Sequence, residues 1–153
     1  MSGDSIGCDR QARRSLIITR AVVCLAIVAG GLALRGWGPG LGLSGFVVKY
    51  GGSTLWGTMV FFLVAIAASR LSRMRIALIA SVIAISVELF RLVHFPWLDA
   101  FRLTLPGALL LGRIFSVWNM VAYGAGIGLG VILDRLTMSA RPGPASDSPH
   151  SAS

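Results

Sequence analysis

A chain of 153 residues in which 55% are hydrophobic and only 13% charged has too little charge to clothe a soluble surface, where about 25% is usual. Its formal charge of +8 would suggest a nucleic-acid partner, but no basic helix face or recognition motif accompanies it, which argues against one. The basic residues instead flank long apolar runs, and with a mean hydropathy of +0.78 this predicts an all-α membrane protein whose arginines meet lipid headgroups.

Residues Met1 to Ser15 are polar, contain Arg10, Arg13 and Arg14, and are expected to form a mobile cytoplasmic tail. The transmembrane domain is expected over 16–136. Its first span runs from Leu16 to Leu34, with Arg20 near its start and expected to snorkel to the headgroups. The short apolar stretch Ala21–Leu34 behind basic residues also admits a cleaved secretory signal, although no convincing small-residue cleavage site follows. Cys8 lies in the tail and Cys24 in the span, so the interface separates them and no disulfide is expected. Arg35 to Gly52, glycine-rich with Pro39, is expected to be an irregular loop.

The second span is predicted from Ser53 to Ser69, followed by a short link bearing Arg70, Arg73 and Arg75. The third runs from Ile76 to Phe95, stopped by Pro96, with Trp97 suited to the interface. Leu98 to Arg113 is apolar but carries Asp99, Arg102, Arg113 and a Pro106-Gly107 break, and is expected to be interfacial or re-entrant. The fourth span runs from Ile114 to Leu133, and residues 137–153 are expected to be a disordered cytoplasmic tail. The fold expected is therefore a four-transmembrane-helix bundle with a short interfacial or re-entrant segment between helices 3 and 4. Nine Lys/Arg residues fall on the side of the termini and the Arg70–Arg75 link, and five on the other. That bias predicts that both termini lie in the cytoplasm.

Three features could carry chemistry. Glu88 sits inside the third span, where an unpaired carboxylate costs on the order of 2.5–3.5 kcal/mol. Arg91 lies one helical turn on, with His94 beyond it on a similar face. The cluster admits two readings: a polar site opening outward, or an internal ion pair that locks the bundle. In the fourth span Asn119, Tyr123, Gly126 and Gly130 recur at spacings of four, three and four, which is one helix face. Gly124/Gly128 and Gly126/Gly130 form small-xxx-small pairs suited to close packing or to a homo-oligomer. Before the second span, Lys49-Tyr50-Gly51-Gly52-Ser53 could turn on its glycines, cap the helix with Ser53 and attract an anion. It could equally be a plain anchor, with Lys49 snorkelling and Tyr50 and Trp56 in the aromatic belt.

Lys49, Tyr50, Ser53, Glu88, Arg91, Asp99, Arg102, Arg113 and Asn119 all fall near the outer end of such a bundle and are expected to converge on one polar pocket. Four of them are cationic, which suits a phosphate- or carboxylate-bearing lipid headgroup or envelope component. The spacing supports no catalytic triad, metal cluster or phosphate loop, so neither a metal nor a cofactor is expected.

At these residues the chain resembles the bacterial "domain of unknown function 2809" membrane family. The likeness is carried by Val48–Trp56, Val87-Glu88-Leu89, Trp97–Arg102, Leu111-Gly112-Arg113 and Ala122-Tyr123-Gly124, and covers about Leu16 to Leu136. It implies a small multi-span membrane protein with no established activity. Ser53 stands where the family usually has aspartate, Arg91 where it has glutamine and Asn119 where it often has aspartate. Those departures weaken any acid/base mechanism that needs the two acids. More distantly the chain is similar to VanZ-like proteins, with Asn119 and Tyr123 replacing an expected Asp and Asn. The first expectation is a non-enzymatic envelope protein that binds an anionic ligand at its outer face. The alternatives are a VanZ-like envelope-modifying enzyme or accessory factor using Glu88 as acid/base, and a small transporter subunit.

Overall fold

Long runs of Leu, Ile, Val and Ala satisfy their own peptide groups as helices wherever water is absent. The computed structural model describes residues 3–90, 92, 96–104 and 116–139, which form helices and turns with no strand among them. Helix α1 spans Gly3–Trp37 and is followed by a single 3-10 turn, Pro39–Leu41. Then come α2 (Gly45–Ala67), α3 (Arg73–Phe90), the short α4 (Pro96–Leu103) and α5 (Val117–Ser139). Three stretches, Arg10–Trp37 of α1, α2 and α5, are long and apolar enough to cross a membrane. The 18 residues of α3 would extend about 27 Å. Arg73, Arg75 and Glu88 make α3 more charged than α2, which carries Lys49, and α5, which carries Asp134 and Arg135.

Side chains set the helix boundaries. Gly42 adopts φ 76°, a left-handed conformation that glycine reaches without penalty, and its N–H closes the 3-10 turn on Pro39 O. The Ser44 hydroxyl then caps α2 by accepting from Val47 N at 3.4 Å. Between α2 and α3 the chain turns within 68–72, and Ser72 Oγ accepts from Arg75 N at 3.5 Å. Pro96 occupies the first position of α4, where its missing N–H costs nothing.

Helix α2 lies at the centre and packs against α1, α3 and α5, while α3 also packs against α5. The α2–α5 crossing is close because glycine faces backbone. Gly57 of α2 meets the Tyr123 backbone, Gly126 of α5 meets the Thr54 carbonyl, and Gly130 meets the Phe61 ring. The Thr58 hydroxyl bridges the pair, 2.8 Å from Gly126 O and 3.0 Å from Thr54 O. Phe61, Phe62, Ala65, Ile76 and Ala80 are fully buried, with the two rings edge to face at 5.5 Å. The polarity of this bundle is inverted relative to a soluble one. Its interior holds Arg20, Thr58, Glu88, Asn119 and Asp134, whereas Val22, Leu25, Leu78, Val82, Trp118 and Ile132 face outward.

Several sequence expectations need correction. The polar segment before Ser15 is helical from Gly3, and Arg13 reaches across to Ser69 Oγ at 3.2 Å. Most of Arg35–Gly52 is not loop: α1 continues to Trp37 and α2 begins at Gly45, so Gly51 and Gly52 are helical. Ser44, not Ser53, caps α2, and Ser53 sits two turns inside it. Arg20 does not snorkel; it is 5% exposed. Helix α3 is described from Arg73 to Phe90, with Leu92 already in a turn, and α5 continues past Leu133 to Ser139. Of Leu98–Arg113, expected to be interfacial or re-entrant, residues up to Leu103 lie in α4, and those from 105 onward lie outside the described residues.

Candidate functional site

The buried polar groups gather at two opposite ends of the bundle. The end formed by the start of α2, the end of α3 and the start of α5 is built around Glu88. Ala80, Ala84 and Glu88 recur every four residues, so the inward face of α3 that packs its small alanines also carries the carboxylate inside. Glu88 is 0% exposed. Its Oε1 accepts from Ser116 N at 2.8 Å and from the Asn119 amide at 3.3 Å, and its Oε2 accepts from the Tyr123 hydroxyl at 3.2 Å. The carboxyl thus sits at the N-terminus of α5, where the helix presents unsatisfied N–H groups and positive dipole. From α2, Ser53 Oγ lies 3.4 Å from Asn119 Oδ1 and 3.1 Å from Lys49 O. Trp56 closes the flank against the Tyr123 ring at 4.8 Å, so it serves the interior as well as any interfacial belt.

Of the residues expected to converge, Ser53, Glu88 and Asn119 are joined in this chain of hydrogen bonds. Lys49 and Tyr50 lie one turn before Ser53 on α2. The Lys49 side chain is exposed, with its ammonium 5.1 Å from the Tyr50 ring centroid, and Phe46 flanks Tyr50 at 4.5 Å. Asp99 and Arg102 lie on α4, their side chains outside the described set, and Arg91, Arg113 and His94 lie outside the described residues. Tyr123 was not among the residues expected in the pocket, and here it is a direct donor to Glu88. The Ser116 amide is backbone and leaves no sequence signal.

The second cluster, at the opposite end, went unrecognised in the sequence. Asp134 of α5 is 0% exposed and takes both Arg20 Nε at 2.8 Å and Arg20 Nη2 at 3.1 Å, a bidentate pair. Arg20 Nη1 donates to Ala65 O at 2.7 Å, and Arg73 Nε reaches Asp134 Oδ2 at 2.9 Å. One carboxylate therefore ties α1, α3 and α5, and through Arg20 also α2. The sequence signal was slight: Asp134 falls just beyond the expected end of the last span and Arg20 near the start of the first, and only the continuation of α5 to Ser139 brings the carboxylate inside.

Chemically, the Glu88 cluster is closed. Each carboxyl oxygen already accepts a hydrogen bond, and the group has no exposed surface. Glu88→Gln keeps an acceptor for Ser116 N and Asn119 but turns an amide toward the Tyr123 hydroxyl. A loss of about 1–2 kcal/mol in stability is expected, read as a lower melting temperature in detergent. An unchanged melting temperature would mean that the carboxylate does not hold α3 to α5.

A family model described as "Protein of unknown function (DUF2809)" matches residues 42–127, more than half of the chain. The matched stretch contains Ser53, Glu88, Asn119 and Tyr123, whereas Arg20 and Asp134 fall outside it. No curated protein and no solved structure matches the chain.

Proposed function

The chain belongs to the DUF2809 family of proteins of unknown function, and on that premise we propose a non-enzymatic, four-span membrane protein that binds an anionic lipid headgroup or envelope component at its Glu88 end. In this reading α3 is the fourth span. Its charges support that assignment, since they sit at its two extremities: Arg73 on Asp134, Arg75 in the first turn and Glu88 in its hydrogen-bonded cluster. The residues between Ile76 and Val87 are uncharged.

Orientation follows from the arginines. Arg10, Arg13, Arg14, Arg70, Arg75 and Arg135 are exposed and share the end at which α1 begins and α5 finishes. That end is cytoplasmic by the Lys/Arg rule, with both termini inside and the Glu88 end outward, in a bacterial inner membrane.

One observation carries the ligand class. The carboxyl of Glu88 is buried and consumed by Ser116, Asn119 and Tyr123, whereas the neighbouring cation Lys49 is exposed. The charge this end offers a ligand is therefore positive, and Glu88 serves as scaffold. Acid/base use of Glu88, as in a VanZ-like enzyme, would need the carboxyl to reach a substrate it is shielded from. Arg102, on α4, is the second cation proposed for the site.

The test is binding of phosphatidylglycerol relative to phosphatidylcholine by the purified chain, followed by native mass spectrometry. Lys49→Ala with Arg102→Ala is expected to weaken the anionic lipid about tenfold while leaving the melting temperature unchanged. Equal retention of both lipids in the variant and the parent would reject the assignment. Gly124 and Gly128 face outward on α5 with open space around them, and the homo-oligomer proposed for this helix would use that face.

A further inference from the structure

We propose that the opposite, arginine-rich end holds the phosphate of an anionic phospholipid through Arg13 and Arg73. Among the described side chains the charge there is not balanced: Arg13, Arg14, Arg70, Arg73, Arg75 and Arg135 are exposed. Among the described side chains its acid is Asp134, which is buried and already matched by the bidentate Arg20. Arg73 adds a second guanidinium to a carboxylate that one had neutralised, so its charge is surplus.

Arg73 and Arg13 also differ from the other exposed arginines in how they are held. Arg73 spends Nε on Asp134, and its two terminal nitrogens have no partner among the described residues; its side chain is 43% exposed. Arg13 spends Nε and Nη2 on Ser69 Oγ, both at 3.2 Å, and its Nη1 is likewise without a described partner. Each guanidinium plane is therefore fixed by the protein on one edge and presents N–H donors on another. Fixing a long side chain beforehand removes much of the rotamer entropy that a phosphate contact would otherwise cost. Ser69, which holds Arg13, and Arg73 itself are four residues apart across the α2–α3 turn, so the turn brings both arginines to the same end of the bundle.

The same corner specifies a lipid over a free anion. Ile18 lies five residues beyond Arg13 on α1, and Met74 and Leu78 follow Arg73 on α3; all three are exposed. A ligand with phosphate at one end and acyl chains at the other meets cationic and apolar surface in the order in which this corner offers them.

The experiment uses the full chain in neutral detergent on the Lys49→Ala, Arg102→Ala background, which removes the site proposed at the Glu88 end and separates the two ideas. Phosphatidylglycerol, phosphatidylcholine and inorganic phosphate are titrated separately by native mass spectrometry. Phosphatidylglycerol is expected to bind about tenfold or more tightly than phosphatidylcholine, and Arg13→Gln with Arg73→Gln to abolish the difference. Arg13→Gln alone leaves the Asp134 cluster intact and is expected to weaken phosphatidylglycerol several-fold without altering the fold. A preference for phosphatidylglycerol that survives in both variants overturns the proposal. So does inorganic phosphate occupying the site as tightly as the lipid, because the acyl-chain surface would then contribute nothing.

Discussion

Replacing Asp134 with alanine is expected to cost about 3–5 kcal/mol, the largest loss of any single substitution considered for this chain. The reason lies in what remains. Arg20 is 5% exposed and would keep its bond to the Ala65 carbonyl, but its charge would be stranded between helices. Arg73 sits at the bundle end and can turn to solvent or headgroups; Arg20 cannot. The expected result is a sharply lower melting temperature in detergent. The pair itself need not be a net gain over apolar packing, because taking two ions out of water costs several kcal/mol each. Arg20→Met with Asp134→Leu should therefore recover most of the stability, and the double-mutant cycle should show strong coupling. An Asp134→Ala protein that melts within about 1 kcal/mol of the parent would mean that water reaches Arg20 freely.

The parts of this architecture that could be read from the sequence are those set by local periodicity. Asn119, Tyr123, Gly126 and Gly130 share a face by spacing alone, and all four are buried. What spacing cannot give is the partner: that Gly126 meets Thr54 and Asn119 meets Glu88 depends on how α5 is rotated against α2 and α3. Arg20 shows the same limit. Its place near the start of the first span was evident, but its partner lies 114 residues away, and a lone arginine near a span end looks the same whether it turns outward or inward. The start of α2 misled for a different reason. Glycines at 51 and 52 usually signal a turn in water, where helix propensity is decisive. Next to an apolar run that must satisfy its own peptide groups, they extend the helix back to Ser44.

Gly126→Leu is expected to be the second most damaging change, and Gly126→Ala fixes its cause. In an exposed helix interior, alanine for glycine gains up to about 1 kcal/mol. Here a methyl on Gly126 would collide with the Thr54 carbonyl and press on the Thr58 amide, both backbone atoms that no rotamer change can move. The helices must then part, which also breaks the 2.8 Å contact between Thr58 Oγ and Gly126 O. Gly126→Ala is expected to lose about 2 kcal/mol, and the larger leucine more. Gly124 and Gly128 are the internal control, since a methyl there meets nothing within 4 Å. Gly128→Ala should be neutral or slightly stabilising, so two substitutions a half-turn apart on one helix should move the melting temperature in opposite directions. Equal loss at both positions would mean that intrinsic backbone effects decide the outcome and that the α2–α5 contact does not.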